Sequence, residues 1–191
     1  MIELLTNKQL KEIEIKSYKK DSTIFRENDT CKEIGIVISG EIVIKSFTNY
    51  GKEIIYSVVK DGSMFGSNLL FSKDKRYRGD VIASKDSEVA FIGKTELIKI
   101  LQNNKDFLIE FMSKQANKSK MLNYKVKLLS LNAPIDRLVY YLDINNGEIE
   151  INSVSSLAKE LNIQRETLSR LLSKLNKNKT IIYKNNKIKR P

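Results

Sequence analysis

VSSLAKELNIQRETLSRLLSKL, running from Val154 to Leu175, has the spacing of two short helices joined by a tight turn. Leu157, Leu161, Ile163, Leu168 and Leu171 fall where a helix-turn-helix buries its helices against each other, and Ala158 is small where the second helix crosses closest. Asn162 stands at the turn, where the backbone goes left-handed and Asn is the best tolerated residue after Gly. The second helix then has two faces. Leu168, Leu171, Leu172 and Leu175 recur at helical spacing toward the core, whereas Arg165, Glu166, Ser169, Arg170 and Ser173 lie opposite, flanked by Gln164, Thr167 and Lys174. Such a face suits the major groove of DNA: Arg bonds bidentately to guanine, Glu accepts from cytosine, and Ser lets a helix sit deep. A solvated amphipathic helix has the same pattern, but the basic character of this region is an independent sign of a polyanionic partner.

On the C-terminal side, TIIYKNNKIKRP reads as a β-hairpin wing turning at Asn185-Asn186, with Lys184 and Lys187 placed, like Lys174, to meet phosphates. On the N-terminal side, Asn132-Ala133-Pro134 breaks a helix, because Pro disfavours helical backbone before it and suits the first turn of the next helix. A domain is therefore expected over 132–191 and another over 1–131. Residues 132–191 hold 11 basic and 6 acidic side chains, against 23 and 17 over 1–131, so the positive charge per residue is roughly doubled.

Before that break a helical run extends from Asp106 to Leu129, about 36 Å at the usual rise. Leu108, Met112, Gln115, Ser119, Leu122, Val126 and Leu129 step by alternating four and three residues, which is a heptad seam. The seam either packs on the preceding domain or pairs two copies of the chain. Polar Gln115 and Ser119 at its middle fit a register-setting contact between copies. A shorter helix is expected near Thr95–Gln102. From Ser22 to about Ile92, the runs EIGIVIS, GEIVIK, EIIYSVV, DVIAS and EVAFI predict an antiparallel all-β unit of roll or sandwich type. Its turns fall at Ser39-Gly40, Asn49-Tyr50-Gly51 and Lys60-Asp61-Gly62, where Gly supplies positive φ. The class is α+β.

Composition narrows the chemistry. The 191 residues carry 34 Lys and Arg against 23 Asp and Glu, a net charge of +11 that suits nucleic acid or an anionic membrane. No residue is histidine, which excludes His-dependent triads, His-ligated zinc and His-ligated haem. The lone Cys31 neither closes an internal disulfide nor holds an iron–sulfur cluster, and it reads as a packing residue or a thiol sensor in a reducing, cytoplasmic setting. MIELLTNKQLKEIEIK is interrupted by charges every few residues, so neither a signal peptide nor a membrane span is expected there. No constellation of acid, base and oxyanion donors and no Gly-rich phosphate loop stands out, so an enzyme is not expected.

On these segments the chain resembles the CRP/FNR transcription regulators, named after the cyclic-AMP receptor and the fumarate-nitrate regulator. IGIVISGEIVIK at 34–45 is similar to the family's β-roll glycine turn, STIFREND at 22–29 to its opening hairpin, and RETLSRLLSKL at 165–175 to its recognition helix. The resemblance implies an N-terminal antiparallel β-roll (double-stranded β-helix) that senses an effector, a long dimerisation helix at about 106–129, and a C-terminal winged helix-turn-helix. It implies a cytoplasmic homodimer reading a palindromic promoter site, with double-stranded DNA and RNA polymerase as partners. It matches Arg165, Glu166 and Arg170 to the base-reading residues of the cyclic-AMP receptor type, and Ser169 to the serine in the E-x-x-S-R signature of the fumarate-nitrate type.

Cyclic-AMP-binding members open a phosphate-binding cassette with a Gly-Glu pair, whose glutamate holds the ribose, and close it with an Arg-Ser pair, whose arginine holds the cyclic phosphate. The matching stretch here is MFGSNLLFSKDKRYRGDVIAS, 64–84. The resemblance lines an effector pocket with Phe65, Gly66, Ser67, Asn68, Tyr77, Arg78 and Gly79, closed by Asn123 and Tyr124 of the long helix. Ser67 and Asn68 follow Gly66, so no carboxylate is available for ribose. Arg78 either reaches a phosphate, if the Phe71–Lys75 loop is one residue longer than usual, or is a surface charge. Cyclic AMP is not expected as the effector, which leaves an unidentified small molecule or constitutive action. The alternative function is a small-molecule-binding regulatory module whose output is not transcription; the polar face from Arg165 to Ser173 argues against it.

Overall fold

The computed structural model describes residues Met1–Pro191, which divide into two units, Met1–Lys114 and Gln115–Pro191. In the first, a short helix α1 (Asn7–Leu10), capped by Thr6, precedes β1 (Glu14–Tyr18), β2 (Thr23–Phe25), β3 (Glu33–Ser39), β4 (Glu41–Phe47), β5 (Glu53–Lys60) and β6 (Met64–Phe65). Helix α2 (Ser67–Leu70), β7 (Asp80–Ala83), β8 (Ser87–Gly93) and α3 (Lys94–Asn103) follow. The strands form two antiparallel sheets of order β1-β8-β3-β6 and β2-β7-β4-β5, the β-roll. Strand alternation sends Ile34, Ile36, Ile42, Val81, Val89 and Phe91 into one core. Gly35 is required because a Cβ there would lie 2.2 Å from the Phe65 ring. The expected turns hold: Gly40, Gly51 and Gly62 all have positive φ.

In the roll, β1 and the two-residue β6 are not expected from the sequence. β1 pairs along its own whole length with Ser87–Phe91 of β8, yet it lies before Ser22, where the sequence predicts the β unit to begin. Its sequence EIKSY shows only exposed or half-buried residues, so it carries little apolar signal and is held by the ladder.

Helix α4 (Lys105–Ser130) runs through the division at Lys114. Phe107 and Phe111 belong to the core of the roll, and Leu128 belongs to the C-terminal core. The C-terminal unit thus begins at Gln115, upstream of the break at Asn132, because the second half of the long helix contributes to its packing. Leu131 to Ala133 separate α4 from α5 (Pro134–Ile144), which carries Pro in its first turn as expected. Then come β9 (Glu148–Glu150), α6 (Val154–Leu161), α7 (Arg165–Lys177), β10 (Ile182–Lys184) and β11 (Lys187–Lys189). The wing is a three-stranded sheet of order β10-β11-β9, one strand more than the expected hairpin. Its turn is at Asn185 and Asn186, φ 50° and 59°.

Candidate nucleic-acid interface

Ser153 caps α6 and accepts from the Ser156 amide, while the Ser156 side chain answers the Ser153 amide. Asn162 ends the helix in the left-handed region, φ 50° and ψ 49°, as expected of its place at the turn. Leu157, Ala158 and Leu161 of α6 and Leu168, Leu172 and Leu175 of α7 are buried together with Leu138 and Leu142 of α5. That packing fixes which side of α7 faces out. Gln164, Arg165, Glu166, Thr167, Ser169, Arg170, Ser173 and Lys174 are all exposed. Arg170 forms no ion pair, and Arg165 has only a loose one, 3.8 Å from Glu166. Ser173 differs from its neighbours: its hydroxyl donates to the Ser169 carbonyl at 3.0 Å.

The two wing lysines are not equivalent. Lys184 stands opposite Lys187 in the ladder, and Lys187 stands opposite Glu150 of β9. The Lys187 ammonium lies 3.7 Å from the Glu150 carboxylate, while Lys184 has no acidic partner. The sequence could not show this, because β9 was not foreseen as the third strand.

The seam of α4 is exposed in the chain. Met112 and Leu122 are each 57% exposed and Val126 is 68% exposed; Leu108 and Leu129 are also exposed. Ser119 is exposed and Gln115 half-buried. The seam therefore does not serve as packing within either unit, and it leaves a row of apolar side chains uncovered.

The cassette in the roll has the opposite character. Phe65 and Tyr77 are about fully buried, Ser67 is buried, and Asn68 and Arg78 point out. The Tyr77 ring stacks on Phe25 at 4.9 Å, and Phe65 and Phe91 meet edge to face at 6.3 Å. Tyr77 is held in place by its backbone: its amide donates to the Asp29 carbonyl, and its own carbonyl accepts from the Asn28 amide. Alternation then turns Arg78 outward, where it pairs with Asp74 at 3.0 Å. Arg76 also pairs with Asp74 and, as the first cause, holds its carboxyl down at about 2. Arg78 is thus the surface charge of the two roles open to it. Gly79 is buried, and the position needs glycine because a Cβ there would meet the Lys45 carbonyl at 2.5 Å.

Burial first, and the neighbouring Cys31 thiol second, push the Tyr77 phenol upward, while the buried Ser67 hydroxyl meets no hydrogen-bond partner. Burial also raises the Cys31 thiol, which donates to the Glu33 carbonyl at 3.2 Å, so Cys31 is a packed thiol and not an activated thiolate. Asn123 is exposed, whereas the Tyr124 ring stacks on Tyr140 at 5.8 Å inside the C-terminal unit. No group of three or more His, Cys, Asp or Glu is disposed to hold a metal ion, and no helix is long and apolar enough to cross a membrane.

Residues 15–104 match the cyclic nucleotide-binding domain family. An anaerobic regulatory protein of Bacillus subtilis is 28% identical over 171 residues, 83% of this chain and 71% of that protein. The relatives that the chain resembles are regulators of the CRP/FNR type. The cAMP-activated global transcriptional regulator CRP of Salmonella typhimurium is 25% identical over 112 residues, 59% of this chain and 53% of its own length. The chain thus spans about half the length of the CRP proteins it matches. Among solved structures, the fold is shared with a CprK variant complexed with OCPA (18% identical, 95% of this chain and 86% of that chain, TM-score 0.70). It is also shared with the Thermus thermophilus catabolite activator protein (18%, 98% and 91%, TM-score 0.55). The Salmonella relative is named as a global transcriptional regulator and the Bacillus relative as a regulatory protein.

Proposed function

We propose that the chain is a cytoplasmic, sequence-specific DNA-binding transcription regulator that works as a homodimer. The observation that carries the reading is α7, whose leucines are buried while Arg165, Glu166, Ser169 and Arg170 stand clear of any intramolecular partner stronger than one loose ion pair. Arg165 and Arg170 reach guanine edges, Glu166 accepts from a cytosine, and Gln164, Thr167 and Ser169 complete the reading face. Ser173, bonded back to its own helix, is a lesser contributor, and Lys174 and Lys184 position the protein on phosphates. Residues 132–191 are the DNA-binding domain and residues 1–131 the roll with its dimerising helix.

The seam from Leu108 to Leu129 pairs two copies and sets two reading helices on half-sites roughly 34 Å apart, one turn of DNA. RNA polymerase is the partner on which such a dimer acts. The roll does not use cyclic AMP: Ser67 offers no carboxylate, Arg78 is turned out toward Asp74, and Tyr77 fills the interior. Any small effector binds elsewhere on the roll, or the regulator is constitutive.

Binding-site selection from random DNA, together with light scattering at micromolar concentration, tests the proposal. The expected outcome is a palindromic motif, a dimer mass, and loss of both on Leu122→Glu, which sets like charges against each other in a dry seam. Recovery of no motif would refute sequence-specific reading, and a monomer on and off DNA would refute the dimer. Titration calorimetry with cyclic AMP should show no binding in the low micromolar range.

A further inference from the structure

We propose that Arg137 is a positioning residue that fastens the exit of the long helix to the turn of the helix-turn-helix, so that α7 keeps one orientation relative to the end of α4. The inference rests on the DNA-reading role of α7 for its consequence, and on the geometry of Arg137 for its substance.

Arg137 lies in the first turn of α5, half-buried and in no ion pair. Its guanidinium donates to main-chain carbonyls from two separate segments. Nε donates to the Leu131 carbonyl at 2.8 Å, and Nη1 donates to the Asn162 carbonyl at 2.6 Å and the Leu161 carbonyl at 3.4 Å. Leu131 is the residue directly after α4. Leu161 ends α6, and Asn162 is the left-handed turn residue.

Each acceptor needs such a donor. Helix ends leave carbonyls without intrahelical partners, and a cation there also meets the negative end of the helix dipole. The Asn162 and Ile163 amides are already bonded back to Ala158 and Lys159, so the turn is closed on its donor side and open on its acceptor side. The planar fork of Arg holds its donors at fixed angles, which a Lys ammonium does not. Arg165, the first residue of the reading helix, follows Asn162 by three positions, so a displacement at the turn is carried to the start of the reading face.

Burial separates this role from general stability. Leu138, Leu142, Leu161 and Leu168 already hold α5 to the helix-turn-helix through a dry core, and Arg137 adds its bonds from the rim. Removing it should leave the unit folded and loosen the angle between α4 and α7.

Two measurements on the full chain test this. Spin labels on Lys127→Cys near the end of α4 and on Lys177→Cys at the end of α7, diluted with unlabelled chain, report the distance distribution; Cys31 is buried and stays unlabelled. The wild type should give one narrow peak, Arg137→Ala a broad one, and Arg137→Lys an intermediate one. A peak as narrow in Arg137→Ala as in the wild type overturns the proposal. The second measurement is affinity for operators whose half-sites are moved one base pair closer or farther. Arg137→Ala should lose on the order of tenfold in spacing preference, the size expected for charge-assisted hydrogen bonds, with single half-site affinity unchanged. Equal loss at half-site and full site, with spacing preference intact, marks a merely structural residue. If the wild type reads no sequence, the DNA-reading role fails, and the distance measurement still decides the clamp. Should Arg137→Ala not fold, Arg137→Gln carries the same comparison.

Discussion

Tyr77 in the roll and Arg170 on α7 make a useful contrast. Both lie where the CRP/FNR resemblance puts a ligand-meeting side chain, yet Tyr77 is 1% exposed and stacked on Phe25, while Arg170 is exposed and unpaired. Around Tyr77 the cassette is core: Phe65 and Ser67 are buried, and the arginines on either side of it, Arg76 and Arg78, are turned out to Asp74. Around Arg170 the polar face remains free. The glycine turns and strand alternation that build a roll do packing work, so they survive when the binding chemistry is absent. The reading face does no packing work.

The largest effect that would break this contrast is on stability of the roll. Tyr77→Ala should cost about 3–5 kcal/mol through the cavity it leaves. In thermal unfolding followed separately in the two units, the roll transition should drop and the C-terminal one should stay. Tyr77→Phe should cost far less, because the hydroxyl faces only the weakly hydrogen-bonding Cys31 thiol. If Tyr77→Ala instead opens the roll to a nucleotide without destabilising it, the residue is a plug and not core.

Next in size comes reading. Arg170→Ala should cost about 1–3 kcal/mol at a single base pair. Its unfolding free energy should stay within about 0.5 kcal/mol of wild type, as for other surface changes. Equal weakening on every sequence would make Arg170 a backbone contact.

The wing offers a finer test. Lys184→Ala should flatten the salt dependence of DNA binding by about one unit, whereas Lys187→Ala should change it less, because Glu150 already neutralises part of that charge. Equal slopes for the two variants would remove the distinction.

The smallest expected effect is that of pH. Without histidine no side chain has its ordinary pKa between pH 6 and 8, and burial moves Cys31 and Tyr77 farther above that range. Asp74, depressed to about 2, contributes stability that is present above the ordinary carboxylate range and lost only as the pH falls toward 2. DNA affinity and roll stability should therefore be flat across the neutral range, and a step near pH 6.5 would contradict this.

The sequence by itself determined whatever depends on local periodicity. The leucine spacing from Leu157 to Leu175 located the helix-turn-helix and its outward face, Asn162 located the turn, and the Gly-bearing breaks located most strands of the roll. Periodicity reports burial at once, because a helix or strand face must be apolar where it packs. Tertiary structure alone decided the rest. Whether Tyr77 or Arg78 enters the roll is a one-residue phase, set by the pairing of Tyr77 with Asn28 and Asp29. That Lys187 is paired and Lys184 is not depends on β9, 37 residues before Lys187 in the chain. The Arg137 fork joins carbonyls at 131 and 161–162 that no spacing rule connects. Each of these is a contact between distant segments, and side-chain type says nothing of it until the fold has brought the partners within a few ångströms.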